Sequence, residues 1–201
     1  MIKREFKRFC VIISGPTGSG KTTICKKLLE GNDEFFYSIS CTTRKKRENE
    51  INGEDYYFVS KEEFEKMIKE DKFLEYAKIY NEYYGTPKEP VFENLKNGKI
   101  VIMDIDFQGK RKIQEKMKDI VSIYLLPPSI EELKKRIEKR EKDKENFLKR
   151  FKEALREIDL WIDYDYVVIN DEIERAIYEI KTIIEAEKLK RERLIIEKEE
   201  R

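Results

Sequence analysis

Residues 12–23 read IISGPTGSGKTT, and this stretch decides the fold. An apolar, β-branched run leads into a small-residue loop holding Gly15, Gly18 and Gly20, followed by Lys21, Thr22 and Thr23. The spacing fits GxxxxGK[ST]: glycines let the backbone curl until several N–H groups point inward at an anion. The helix expected to follow adds the positive end of its dipole. Gly15, Pro16, Thr17, Gly18, Ser19, Gly20, Lys21, Thr22 and Thr23 are therefore expected to hold the phosphate tail of a nucleoside triphosphate. Lys21 would reach the β- and γ-phosphates as a mobile charge, and the Thr22 hydroxyl would ligate Mg2+.

Working outward, residues 9–14 read as a buried strand, 21–30 as a helix and 35–40 as a second strand, the opening of a βαβ unit. The texture then becomes polar and turn-rich, with a short strand at 56–59, a helix at 61–70, a strand at 74–79 and a turn at 81–87. The α/β rhythm resumes with a helix at 91–97, the apolar strand IVIMDI at 100–105, a helix at 110–118 and a strand at 121–126. Ser129 can cap the next helix, with Glu132 at the capping-box position. A charged helical segment runs to residue 160, a last strand covers 164–169, and a long helix from 172 loses its apolar face towards residue 201. The expected class is an α/β parallel sheet with helices on both faces, a small inserted α+β subdomain and a helical lid. The divisions are 1–39, 88–128 and 160–201 for the core, 40–87 for the insertion and 129–159 for the lid. Gly15, Asp104 and Asn170 fall at strand carboxyl ends, where such sheets bind ligands. Asp104 is the expected second ligand of the metal.

Composition narrows the chemistry. Of 201 residues, 43 are Lys or Arg and 42 are Asp or Glu, a net charge of +1, so no global field favours nucleic acid or a membrane. Histidine is absent, which removes the commonest general base and metal ligand. Cys10, Cys25 and Cys41 show no CxxC spacing, which fits small buried residues in a reducing cytoplasm. No run approaches membrane-spanning length. The abundance of Lys and Glu fits a solvated helical surface; heat adaptation and AT-rich coding would give the same excess.

The phosphate acceptor is addressed by TTRKKRENEINGEDYYFV, residues 42–59. Arg44 and Arg47 could grip a second phosphate. With Ser40, Thr42, Thr43, Gly53 and Tyr56, this segment resembles the nucleotide-acceptor segment of the guanylate kinases. The resemblance continues through FLEYA (73–77), YYGT (83–86), DIDFQG (104–109), RIEKR (136–140) and DYVVIND (165–171), and ends near residue 184. It implies a kinase that moves the γ-phosphoryl group of ATP to GMP, with dGMP as a second acceptor and Mg2+ accompanying ATP. It further implies that Arg44, Arg47, Tyr56 and Tyr84 hold the GMP phosphate and that Ser40, Glu75, Thr86 and Asp106 read the guanine. Asp104 is expected among the GMP-binding residues as well as at the metal. Arg140 and Arg150 would close on the transferring group from the lid, with Arg136 as the alternative, and Asn170 would lie near the adenine. Catalysis would fall to Lys21, Arg44, Arg140 and Arg150. The chain departs from the family pattern at Lys46, at Asn49 and in the lid segment REKDKEN, which bears on loop stiffness rather than chemistry. A phosphopeptide-binding relative with an eroded loop, a kinase for another monophosphate and a P-loop hydrolase are the competing readings. A soluble cytoplasmic protein acting on small molecules, as monomer or homo-oligomer, is expected.

Overall fold

The structure, a computed structural model, describes residues 2–79, 81–141 and 143–198. Strand β1 (Ile2–Phe6) precedes β2 (Cys10–Ser14), and α1 (Lys21–Leu29) starts directly after the glycine loop. Strands β3 (Phe35–Tyr37), β4 (Cys41–Thr42) and β5 (Tyr57–Phe58) lead to α2 (Lys61–Lys69), whose N-terminus Ser60 and Glu63 close with a reciprocal capping box. Next come β6 (Phe73–Ile79), β7 (Glu82–Pro87) and α3 (Lys88–Lys96). Pro90 is accommodated in the first turn of α3, where its missing N–H has no helical partner to lose. Strand β8 (Ile100–Asp104), α4 (Phe107–Lys116), β9 (Ile120–Leu126), α5 (Ile130–Arg140) and α6 (Lys144–Glu157) follow. A 3-10 turn (Ile158–Asp163), β10 (Tyr166–Ile169), α7 (Ile173–Lys188) and β11 (Leu194–Lys198) complete the chain.

Five parallel strands form the main sheet in the order β10-β9-β2-β8-β3. Strand β2 is central and buried on both faces, because successive side chains point to opposite sides. Val11 and Ile13 pack with Ile24, Leu28, Ile180 and Ile184 of α1 and α7. Cys10 and Ile12 face the other way, towards Val91 of α3 and Ile113 of α4. The insertion carries a four-stranded sheet, β5-β4-β7-β6, over its own small core of Cys41, Phe64 and Phe73. Helices α5 and α6 pair through Leu133, Ile137 and Ala154.

Several expectations differ from the structure. The strand expected at 35–40 ends at Tyr37, and the helices expected from 91 and 110 begin at Lys88 and Phe107. Glu82–Pro87 form strand β7 rather than a turn, paired antiparallel with β6 from Phe73↔Pro87 to Ile79↔Glu82, with the reversal marked by Asn81 at φ 69°. Glu132 does not complete a capping box: Ser129 Oγ accepts from the Glu132 N–H, but the Glu132 carboxylate takes Arg136 Nε at 2.8 Å instead. The last helix stops at Lys188, and β11 returns to pair antiparallel with β1, from Ile2↔Lys198 to Phe6↔Leu194. The apolar run Leu194–Ile196, with two β-branched residues, suits a strand better than the polar end of a helix. The final three residues of that expected helix lie outside the described residues.

Candidate active site

The glycine loop joins β2 to α1 at the carboxyl rim of the sheet. Gly15 has no room for a side chain, since a Cβ there would lie 2.3 Å from the Leu125 carbonyl oxygen. Gly20, at φ 99°, caps α1 in the left-handed region that glycine alone occupies readily. Lys21 Nζ arches back over the loop, donating to the Gly15 and Pro16 carbonyls at 2.8 and 3.2 Å. Thr22 Oγ1 donates to Asp104 Oδ2 at 3.0 Å, across the junction of α1 and β8. Burial pushes the Asp104 carboxyl up, while Lys21, Thr22 and Arg140 pull it back down. A hydroxyl and a carboxylate at that spacing are hard oxygen donors of the kind Mg2+ accepts, with its other positions left for water and phosphate.

A cavity of about 440 Å³ opens beside the loop. Gly15, Thr17 and Lys21 of the loop region line it with Asp104 and Asp106, together with Ser40, Tyr56, Glu75 and Tyr84. Glu75 and Thr86 are cross-strand partners on β6 and β7, both buried, and Thr86 Oγ1 donates to Glu75 Oε1 at 2.8 Å. Burial raises the Glu75 pKa to about 7, against the pull of Thr86, Lys112 and Lys116, and nearby Asp106 raises it further. Asp106 caps α4, with one oxygen accepting the Gly109 N–H at 2.8 Å. The rings of Tyr56 and Tyr84 meet edge to face, 5.9 Å apart. Arg44 sits against the Tyr56 and Phe58 rings and is paired with Glu50, while Arg47 is exposed.

A second cavity, of about 500 Å³, lies across the loop between Gly18, Gly20, Thr23, Arg136, Arg140 and Asn170. Asn170 is buried, and its Nδ2 donates to the Ser19 carbonyl at 2.7 Å. Its Oδ1 and Ser19 Oγ are buried without partners, leaving acceptor capacity at the loop. Arg136 lies close in, donating to the Asn170 carbonyl at 3.3 Å. Arg140 is exposed at the cavity wall, and Arg150, on α6, has its Nε 3.0 Å from Glu141 Oε1. Most residues singled out from the sequence are thus gathered at one rim, and of the arginines Arg136 and Arg140 line a cavity whereas Arg44, Arg47 and Arg150 line neither.

Two carboxylates were not foreseen. Glu157, the last residue of α6, accepts from the Thr17 N–H at 3.3 Å and joins that helix to the phosphate loop. Glu50 binds Arg44 through both oxygens. Neither stands out in a chain this rich in glutamate, and only the fold brings Glu157 across 140 residues to Thr17. The three cysteines are buried free thiols, with burial raising Cys10 to about 12 and Cys41 to about 11. Among the described residues no helix is long and apolar enough to cross a membrane.

Residues 7–187 match the family model described as guanylate kinase. The guanylate kinase of Clostridium tetani is 51% identical over 189 residues, covering 94% of this chain and 90% of that one. That of Caldanaerobacter subterraneus subsp. tengcongensis is 50% identical over 184 residues, covering 91% and 89%. The crystal structure of guanylate kinase from Anaplasma phagocytophilum superposes with a TM-score of 0.78 at 34% identity, covering 94% of this chain and 90% of that one. A phosphate loop, a metal-suited Thr22–Asp104 pair and a buried glutamate on an inserted sheet thus occur together in a chain that belongs to the guanylate kinase family.

Proposed function

We propose that this chain transfers the γ-phosphoryl group of ATP to GMP, giving ADP and GDP, with dGMP as a second acceptor. The observation that carries the choice of acceptor is Glu75, buried with Thr86 in the same cavity as Lys21 and Asp104. Guanine presents two donors, N1–H and the exocyclic amine, to such a carboxylate. Adenine presents an acceptor at N1 and is repelled. A group poised near neutrality is ionised readily once those donors arrive. Ser40 and the second oxygen of Asp106 complete the base-reading set in this assignment, and Tyr56, Tyr84, Arg44 and Arg47 hold the acceptor phosphate.

The phosphate loop holds the triphosphate through backbone N–H groups, and Lys21 leaves its carbonyl partners to follow the β- and γ-phosphates. Mg2+, held by Thr22 and Asp104, would neutralise charge on the same phosphates. Asn170 and Arg136 border the adenine side. The acceptor is already an anionic phosphate, so no side chain need remove a proton from it. Catalysis is then in-line positioning and neutralisation of spreading charge by Lys21, Arg44 and the arginines of the lid, residues 129–159. Arg140 borders the site; Arg150 would reach it only after α5 and α6 close, which also excludes water. The setting in this reading is the cytoplasm, with small-molecule partners only.

The test is ADP release with Mg2+-ATP and each of GMP, AMP, UMP and CMP. Turnover confined to GMP is expected. Preference for another monophosphate would overturn the base assignment and spare the phosphate loop; no turnover with any acceptor would overturn the kinase reading.

A further inference from the structure

Arg44 is the innermost cation of the inserted segment, and a carboxylate already occupies part of it. Its Nη1 donates to Glu50 Oε2 at 2.9 Å and to the Lys45 carbonyl at 2.8 Å; its Nη2 donates to Glu50 Oε1 at 2.7 Å. A guanidinium has five N–H groups in one plane, and these partners take three. The Nε–H and the second Nη2–H lie together along the other edge, the spacing that two oxygens of a phosphate match. Tyr84, a wall of the main cavity, is a further side-chain hydrogen-bond partner of this guanidinium, so an incoming phosphate would meet that edge together with the phenol. The plane is set by aromatic neighbours, with Cζ 5.4 Å from the Tyr56 ring centre and 5.6 Å from that of Phe58.

Glu50 is itself fixed. Its N–H donates to the Arg47 carbonyl at 3.2 Å, closing a turn, and its Oε2 accepts the Arg47 N–H at 2.8 Å. Its side chain is 16% exposed and that of Arg44 17%, against 55% for Arg47. Burial alone would raise the Glu50 pKa, but Arg44 and the Arg47 N–H outweigh it and hold the group in its charged form.

We propose that Glu50 is the positioning residue of the acceptor site: it takes the far edge of Arg44 and so presents the remaining Nε/Nη2 edge to the incoming monophosphate. This rests on the assignment of Arg44 to the GMP phosphate. The opposite idea, that Glu50 is a placeholder the phosphate must displace, predicts the opposite kinetic sign.

Glu50→Gln keeps the shape but sets an N–H against one Arg44 N–H, so one charge-assisted bond of the fork is lost. The expected result is a rise in the GMP KM of about 10- to 100-fold, with the ATP KM within about twofold and the thermal melt little moved. Glu50→Asp, charged but one methylene shorter, is expected to fall between the two; if Glu50→Gln does not fold, it carries the test alone. In an Arg44→Met background Glu50→Gln should add almost nothing, because the residue acts through Arg44. An unchanged or lowered GMP KM in Glu50→Gln, or an equal rise in the Arg44→Met background, overturns the proposal. If Arg44→Met itself leaves the GMP KM unchanged, the role assigned to Arg44 fails first, and that result is separately visible.

Discussion

At the scale of single residues, Lys21 and Glu75 divide the work between phosphate and base in the proposed reaction. Lys21 donates to two loop carbonyls, a readily exchanged anchorage for a group that would follow a moving charge. Lys21→Met is expected to lower kcat by at least about 1000-fold while Tm stays within a few degrees, as checked by steady-state assay and calorimetry. Wild-type turnover in that variant would remove the loop from the mechanism. Glu75 carries a pH signature. Its folded pKa of about 7 lies above the ordinary 4.5, so the folded protein holds a proton that the unfolded chain has released between those values. Its contribution to stability is full below about pH 4.5 and is lost as pH rises to about 7. The Tm difference between wild type and Glu75→Gln should drift in that window and be flat outside it. Guanine reading needs the ionised form, so the wild-type GMP KM should improve from pH 6 to 8 relative to Glu75→Gln. The phosphate of GMP titrates in both proteins and cancels in the ratio. The neighbours that enter this titration are Asp106, Lys112 and Lys116.

Among the elements, α4 and α6 act on the site from its floor and its edge. The first turn of α4 brings Gly109 under the Glu75 carboxyl, where a Cβ would lie 3.1 Å from its Cδ. Gly109→Ala favours the helix by about 1 kcal/mol but pushes on the end of Glu75. The expected outcome is a GMP KM raised several-fold, with Tm equal or higher. A raised Tm with no kinetic change would show that Glu75 simply leans aside. Helix α6 ends at Glu157 on the phosphate loop and runs into the 3-10 turn that contains Trp161, the chain's sole tryptophan, 43% exposed. Closure of α5 and α6 should change the Trp161 emission when ATP and GMP analogues are bound together, and less with either alone. Constant emission under saturating ligands would argue against movement at this joint. Strand β7 marks what element-level reading misses. Gly85 and Pro87 look like turn residues, yet pairing with β6 through six residue pairs makes them strand, since cross-strand partners outweigh local propensity.

Over the whole molecule, the two ends of the chain meet. Strands β1 and β11 pair, and Lys7 N–H donates to the Arg193 carbonyl at 2.8 Å. Beneath them Arg193 pairs with buried Glu187, donates to the Ile120 carbonyl at 3.3 Å and lies 4.6 Å from the Phe9 ring centre. Tyr166 and Lys190 also bind Glu187. Removing one partner of a buried pair leaves the other charge stranded, at a cost of about 3 kcal/mol or more. Arg193→Met is therefore expected to lower Tm by about 6–12 °C and to leave kcat at 25 °C unchanged. A Tm within 2 °C of wild type would mean that the remaining partners suffice. By itself the sequence determined the phosphate loop, the strands that bury both faces and the order of the family's segments. These rest on local signals: glycine spacing, β-branched runs and charged residues at fixed short offsets. Only the tertiary structure decided that residues 194–198 form a strand, that Arg150 lines neither cavity, that Glu157 reaches the phosphate loop and that Glu50 pairs with Arg44. The terminal pairing, Arg150 and Glu157 depend on contacts between distant segments, and Glu50 depends on where its turn is set against the Tyr56 and Phe58 rings. Residues 194–198 have nothing to pair with until β1 is in place, and Glu50 meets a particular cation out of water only once its turn has folded against Arg44.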